Sequence, residues 1–288
     1  MEDLQNHARG AERVGELDAI IPIRRTQPGT KDAPVHLVAH LDAILRAADI
    51  ETVWALTCAY MRELGFSGVI YGYSPTSKGT DLGPREDFLL LSTLDRAFMS
   101  NLVDSNVYRE SVTFNWALRN AGVASWSMTP SEGEMPPDFR TSPEAEAFFE
   151  RFGMVIGCTV GFPSARSRGR GVMALMARCG LSQADVDALL RHRADELFVV
   201  ATVAHRSLST MPYLGQNRSL SPRQREVLEW VAEGKSVADI AAILGLAQPT
   251  VEKHLRLARE ALGVETTAHA LIKAAFLNQM FVIGPQAS

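Results

Sequence analysis

Residues 220–264 read LSPRQREVLEWVAEGKSVADIAAILGLAQPTVEKHLRLAREALGV, and the spacing within this stretch decides the architecture of the C-terminal part. Ser221 stands as an N-cap with Pro222 at the first helical position, and Glu226, Val227 and Trp230 lead into Gly234. A second helical pattern starts at Ser236, presents Val237, Ile240, Ala241 and Leu244, and stops at Gly245. The turn GLAQP launches a third, Thr250 to Leu262, and a fourth runs from Thr267 to Asn278. Two short helices joined by a Gly-containing turn have the spacing of a helix-turn-helix. Within the third pattern Val251, Leu255, Ala258 and Leu262 form the inward set, which leaves Glu252, Lys253, Arg256 and Arg259 facing outward.

Upstream, the apolar period is mixed. Leu37, Leu41, Ile44 and Leu45 recur at helical spacing, and Asp49 precedes a second helix through Leu64 that Gly65 closes. Val69, Tyr71 and Tyr73 alternate with smaller residues as in a strand, FLLLST from Phe88 reads as another, and Val155–Phe162 and Val172–Ala177 as two more. Helices are expected over Leu94–Val103, Val112–Asn120 (stopping at Gly122) and Glu144–Phe152, with SEGEMPPDFRTSP as loop. A long helix begins at Ser182, where Asp185 completes a capping-box pattern. Helices before, between and after strands predict an α+β chain: an α/β/α sandwich over residues 35–208, followed by an all-α four-helix domain over 220–283. Residues 1–34 are expected to be a polar arm, and the stretch 209–219, broken by Pro212 and Gly215, a linker.

Composition narrows the function. The 29 Lys+Arg against 33 Asp+Glu give pI near 6.0, so any nucleic-acid contact must come from a local patch rather than bulk charge. Cys58, Cys158 and Cys179 are far apart and set in apolar sequence; we expect buried thiols and neither a metal site nor a disulfide framework. No secretory pattern opens the chain and no apolar run approaches a membrane span, which predicts a cytoplasmic location with no membrane partner. A Ser nucleophile elbow, an HExxH and a Walker lysine are all missing, so an enzyme is not expected.

From Leu220 onward the chain resembles the LuxR/GerE helix-turn-helix regulators, through LSPRQREVLEWVAEGKS, IAAILGL, TVEKHL and LGVETTAHALIKAAFL. The resemblance implies a cytoplasmic transcriptional regulator that binds double-stranded DNA. Lys235, Thr250, Lys253, His254 and Arg259 are then expected at phosphates, with Glu252 and Arg256 toward base edges. Ala247 stands where the family commonly has a Ser cap, and Glu252 where Lys or Arg is common. The fourth helix, with Leu271, Ile272, Ala275 and Phe276, is implied to pair two copies as a homodimer on a two-fold symmetric operator.

The region Leu37–Leu208 resembles the autoinducer-binding domains of LuxR-type quorum sensors, through LGFSGVIYGYSP, FLLLSTLDRAFMSNLVDSNVYRESVTFNWALRNAGVASW and FGMVIGCTVGFP. That implies a pocket for a small amphiphilic signal, an acyl-homoserine lactone or related compound, and no other cofactor. Tyr71, Tyr73, Phe98, Leu102, Tyr108, Ser111, Trp116, Trp126, Met128 and Met173 are expected to line it. The family's lactone-binding Trp falls at Phe98 and its anchoring Asp at Ser111, with Asp104 or Glu110 as alternative anchors if the gap differs by a few residues. A ligand-independent regulator or antagonist that acts through dimerisation is the competing expectation.

Overall fold

The structure is a computed structural model that describes residues 37–128, 139–164, 167–212 and 219–281. The arm 1–34, most of the loop 131–143 and part of the linker 209–219 lie outside the described residues. The N-terminal part holds helices α1 (Leu37–Arg46), α2 (Ile50–Glu63), α3 (Arg96–Ser105), α4 (Val112–Arg119), α5 (Pro143–Arg151) and α6 (Gln183–Thr210). Its strands are β1 (Phe66–Lys78), β2 (Leu89–Ser92), β3 (Gly122–Ser125), β4 (Gly157–Gly161) and β5 (Arg168–Ala177). They form one sheet in the order β2-β1-β5-β4-β3, antiparallel throughout.

Strand parity explains the layering. Val69, Tyr71, Leu89, Leu91, Cys158, Val160, Met173 and Leu175 point to one face and pack with Trp54, Met61, Leu197 and Val200 of α2 and α6. Ile70, Leu90, Ala174 and Met176 point to the other, with Phe98 of α3 and Phe148 and Phe149 of α5. Both faces are covered, so both are apolar, and the expected α/β/α sandwich is present.

Local chemistry sets the helix ends. Asp49 accepts from Thr52 N–H at 2.7 Å at the start of α2, and Ser182 and Asp185 exchange the two bonds of a capping box before α6. The Ser182 bonds hold the Asp185 carboxyl below its ordinary range. At Gly161 a Cβ would stand 2.2 Å from the Asn120 carbonyl oxygen and 2.9 Å from Ala117 Cα, so α4 can lie this close to β4 only over a glycine.

Three expectations change. Gly122, read as a helix stop, also opens β3, a short edge strand whose four residues carry no alternation. Leu45 is exposed whereas Ile44 is buried. Cys58 and Cys158 are buried as expected, and burial raises both thiol pKa values, that of Cys58 to about 12; Cys179 is exposed just beyond β5, so apolar neighbours in sequence did not bury it.

The C-terminal part is all helical: α7 (Pro222–Ala232), α8 (Val237–Leu244), α9 (Gln248–Leu262) and α10 (Thr267–Phe276). Ser221 caps α7 with Gln224 in a capping box, Ser236 does the same for α8 with Asp239, and Gly245 ends α8 at φ +65°. Val251, Leu255, Ala258 and Leu262, the inward set, are all buried, against Val227, Leu228, Ile240, Ala270 and Ala274.

This helical part docks on the sandwich through α10. Lys273 Nζ lies 3.1 Å from Asp87 Oδ1, with the two side chains 7% and 1% exposed. Asn278 donates from Nδ2 to the Ser209 and Met211 carbonyls at 2.9 and 3.1 Å, and the Arg168 guanidinium sits 5.8 Å from the Phe276 ring centre. Asp87 belongs to a single 3-10 turn, Arg85–Asp87, which leads directly into β2.

Candidate functional site

Between the sheet and helices α3, α4 and α5 lies a cavity of about 490 Å³. That volume is within the range of small-molecule sites. Its floor is the β1 and β5 face carrying Ile70, Gly72, Val172 and Ala174; Phe88 and Leu90 close one side, and Phe114, Leu118 and Phe149 the roof.

Of the ten residues expected here, Tyr73, Leu102, Tyr108, Ser111, Trp126 and Met128 border the cavity. Tyr71, Phe98, Trp116 and Met173 do not. Tyr71 and Met173 are register partners on β1 and β5 and share the opposite face, where Tyr71 Oη and His205 Nδ1 are joined at 2.8 Å. Burial raises the Tyr71 pKa and lowers that of His205 to about 4, with Arg206 adding to the latter. The His205 ring stacks on Phe162 with centroids 4.2 Å apart. Phe98 is held among the rings of Phe148 and Phe152, and Trp116 belongs to the cluster of Leu82, Ala124 and Val172. Tyr73 borders the cavity although its ring packs 5.6 Å from that of His205. Of the alternative anchors, Asp104 lies on the surface beside Arg85, while Glu110 accepts from the Ser142 hydroxyl at the start of α5; neither lines the cavity.

One polar part of the wall is a hydrogen-bonded chain of side chains, while Ser74, Arg140, Thr141, Glu146, Glu150 and Arg170 also border the cavity. Trp126 Nε1 donates to Thr159 Oγ1 at 2.9 Å, Thr159 Oγ1 to Thr113 Oγ1 at 3.2 Å, and the Thr113 and Ser111 hydroxyls share a bond of 3.2 Å. Ser111 is also the N-cap of α4 and accepts from Phe114 N–H at 3.4 Å. Sequence reasoning found Ser111 and Trp126 but missed Thr113 and Thr159. The available signal was a lone hydroxyl within the fully buried run Gly157–Gly161.

On α9, Glu252, Lys253 and Arg256 are exposed, His254 and Thr250 are half-buried, and Lys235 is exposed at the turn before α8. Arg256 pairs with Glu260 one turn on, and Arg259 is turned toward α10, donating to Thr267 Oγ1 at 3.1 Å. Ala247 makes no side-chain bond to the first turn of α9, as its chemistry dictates, and Pro249 sits in that turn. On α10, Ile272 and Ala275 are exposed, Leu271 is partly buried in its own helical cluster, and Phe276 faces the junction beside Arg168. Among the described residues no group of His, Cys, Asp and Glu could hold a metal, and no helix is long and apolar enough to cross a membrane.

A cavity-bearing sandwich joined to a helix-turn-helix defines a two-part regulator, and comparison with known proteins agrees. The family model described as the autoinducer binding domain matches residues 49–208, and that described as bacterial regulatory proteins, luxR family, matches residues 218–274. The chain belongs to the LuxR-type transcriptional regulators that carry an autoinducer-binding domain. Among relatives, it is 22% identical over 243 residues to the transcriptional activator AnoR of Acinetobacter nosocomialis, covering 83% of this chain and 96% of that protein. It is 23% identical over 194 residues to LuxR of Aliivibrio fischeri, covering 66% and 74%. Identity rises to 41% with BjaR1 of Bradyrhizobium diazoefficiens, over 69 residues that make up 24% of this chain and 28% of that protein. SdiA of Escherichia coli overlays with a TM-score of 0.44 at 16% identity, covering 85% of this chain and 98% of that one. These relatives are named as regulators, not enzymes.

Proposed function

We propose that this chain is a DNA-binding transcriptional regulator controlled by a small amphiphilic signal of the acyl-homoserine lactone type, held in the cavity of residues 35–208 and reported through residues 220–283. The observation that supports it best is the cavity itself, mostly apolar with a line of polar anchors, in the same chain as a helix-turn-helix. Thermal melting and operator binding with and without a panel of acyl-homoserine lactones test it. A raised Tm and altered DNA affinity with at least one member are expected; unchanged melting with all of them, beside ligand-independent DNA binding, would leave the ligand-independent regulator in its place.

In this reading Lys235, Thr250, Lys253 and His254 meet phosphates, and Glu252 and Arg256 meet base edges. Arg256 must leave Glu260 to do so, but an exposed pair at that spacing is worth about 0.3–0.5 kcal/mol, less than the roughly 1–3 kcal/mol of a bidentate guanine contact. Base reading therefore wins. Arg256→Ala should relax discrimination at one base pair, whereas Lys253→Ala should weaken all sequences alike and flatten the salt dependence. Gel-shift titrations on single-base operator variants check this, and the reverse pattern would mean a differently oriented α9. Ile272 and Ala275, one turn apart on the open side of α10, are the residues through which we place a second copy, giving a homodimer on a two-fold symmetric operator.

A further inference from the structure

We propose that the cavity recognises its ligand through a hydrogen-bond acceptor, a carbonyl, and not through an amide N–H, so that acyl esters are accepted as well as acyl amides. The inference rests on the small-molecule sensor reading above and deepens it.

The argument is a count of protons. Trp126, Thr159, Thr113 and Ser111 all line the cavity and bring four polar protons, one indole N–H and three hydroxyls. The bonds that link them, Trp126 to Thr159, Thr159 to Thr113 and the one shared by Thr113 and Ser111, use three. One proton is left at the Ser111 end. Its direction does not alter the result. When Thr113 donates to Ser111, Ser111 already accepts from Phe114 N–H as well, so its two lone pairs are filled and its own proton is free. When Ser111 donates to Thr113, Thr113 accepts twice and its proton is free. Either way this end of the chain offers a donor to the cavity.

Among the described residues, a charged acceptor for an N–H is missing from the inner wall. Among the described residues lining the cavity the carboxylates are Glu146 and Glu150, both exposed on α5. Ser74 and Tyr108 donate to the Leu82 carbonyl and to Asn106, leaving neutral oxygens as the remaining acceptors. An amide is costlier to strip of water than an ester, and a neutral hydroxyl oxygen returns less to its N–H than a charged acceptor does. The ligand's carbonyl is thus recognised, and its N–H is not.

Three lactones of one shape separate these contributions: N-octanoyl-homoserine lactone, the α-octanoyloxy ester of γ-butyrolactone, and the α-octyloxy ether. Titration calorimetry on the full chain should show the ester binding as tightly as the amide or more tightly, and the ether about tenfold more weakly. Thr113→Val with Ser111→Ala, which removes both hydroxyls able to carry the spare proton and leaves the chain ending at Thr159, should shrink the gap between ester and ether, and Thr113→Ser alone should keep it. Circular dichroism melts of both variants control for folding. An amide more than about tenfold tighter than the ester, or an ether bound like the ester, overturns the inference while leaving the sensor reading intact. Binding of none of the three, together with unchanged melting across the whole panel of acyl-homoserine lactones, overturns both.

Discussion

Asp87→Asn should detach the C-terminal helical part from the sandwich before either part unfolds. The substitution leaves Lys273 buried as an unpaired charge, and breaking one side of a buried pair costs about 3–5 kcal/mol. That exceeds the worth of the neighbouring contacts: two hydrogen bonds from Asn278, about 1 kcal/mol each, and one cation–π contact of similar size. The cheapest relief is for α10 to lift away and let Lys273 reach water. Hydrogen exchange should therefore accelerate in α10 and around Asp87 while the core of α2, β1 and α6 stays protected. The double substitution Asp87→Leu with Lys273→Met should redock the two parts, because an apolar pair of similar volume replaces a buried ion pair at little or no cost. Unchanged exchange in the single variant would show that the pair does not hold the junction.

The second large effect is an acid sensitivity centred on His205. Burial against Phe162 and Tyr71 lowers its pKa to about 4 from the ordinary 6.5. Above pH 6.5 neither the folded nor the unfolded chain carries the proton, and stability is unaffected. Between 6.5 and 4 the unfolded chain binds a proton that the fold refuses, so stability falls as pH falls; below about 4 both states are charged and the loss levels off. The gap corresponds to about 3 kcal/mol. The carboxyls of Asp49, Asp187 and Glu196 are lowered too, but they release stability in a more acidic window, below their own ordinary values. Urea unfolding at pH 7.5 and 4.5 should show the loss in the native chain, and His205→Gln, which keeps a polar partner for Tyr71, should remove most of it. Equal losses in both would mean that His205 already carries its proton in the fold.

What could be read ahead of the structure follows the range of each interaction. Caps are local, so Asp49, Ser182 and Ser221 were legible from a few letters. The buried face of α9 was legible because its period is short and its opposite face is polar. The cavity was only partly so. Both faces of the sheet are covered, hence both are apolar, and alternation says that Tyr71 and Ile70 face opposite ways without saying which way the cavity lies. Phe98 likewise reads as a wall but is enclosed by Phe148 and Phe152, which only folding brings near. Lys273, in the sequence ALIKAAF, looks like a solvent-facing residue; its burial depends on an aspartate from the other half of the chain.

The short 3-10 turn before β2 has two neighbours. Asp87 grips α10, and the next residue, Phe88, walls the cavity. One small piece of backbone thus borders both the cavity and the docked helix-turn-helix half. Any ligand that favours one position of that turn favours one placement of α10, and equilibrium coupling runs equally in both directions. The operator would then change the grip on the signal by the same factor by which the signal changes the grip on the operator, and a protein already seated on DNA would hold or release its signal differently from one free in solution.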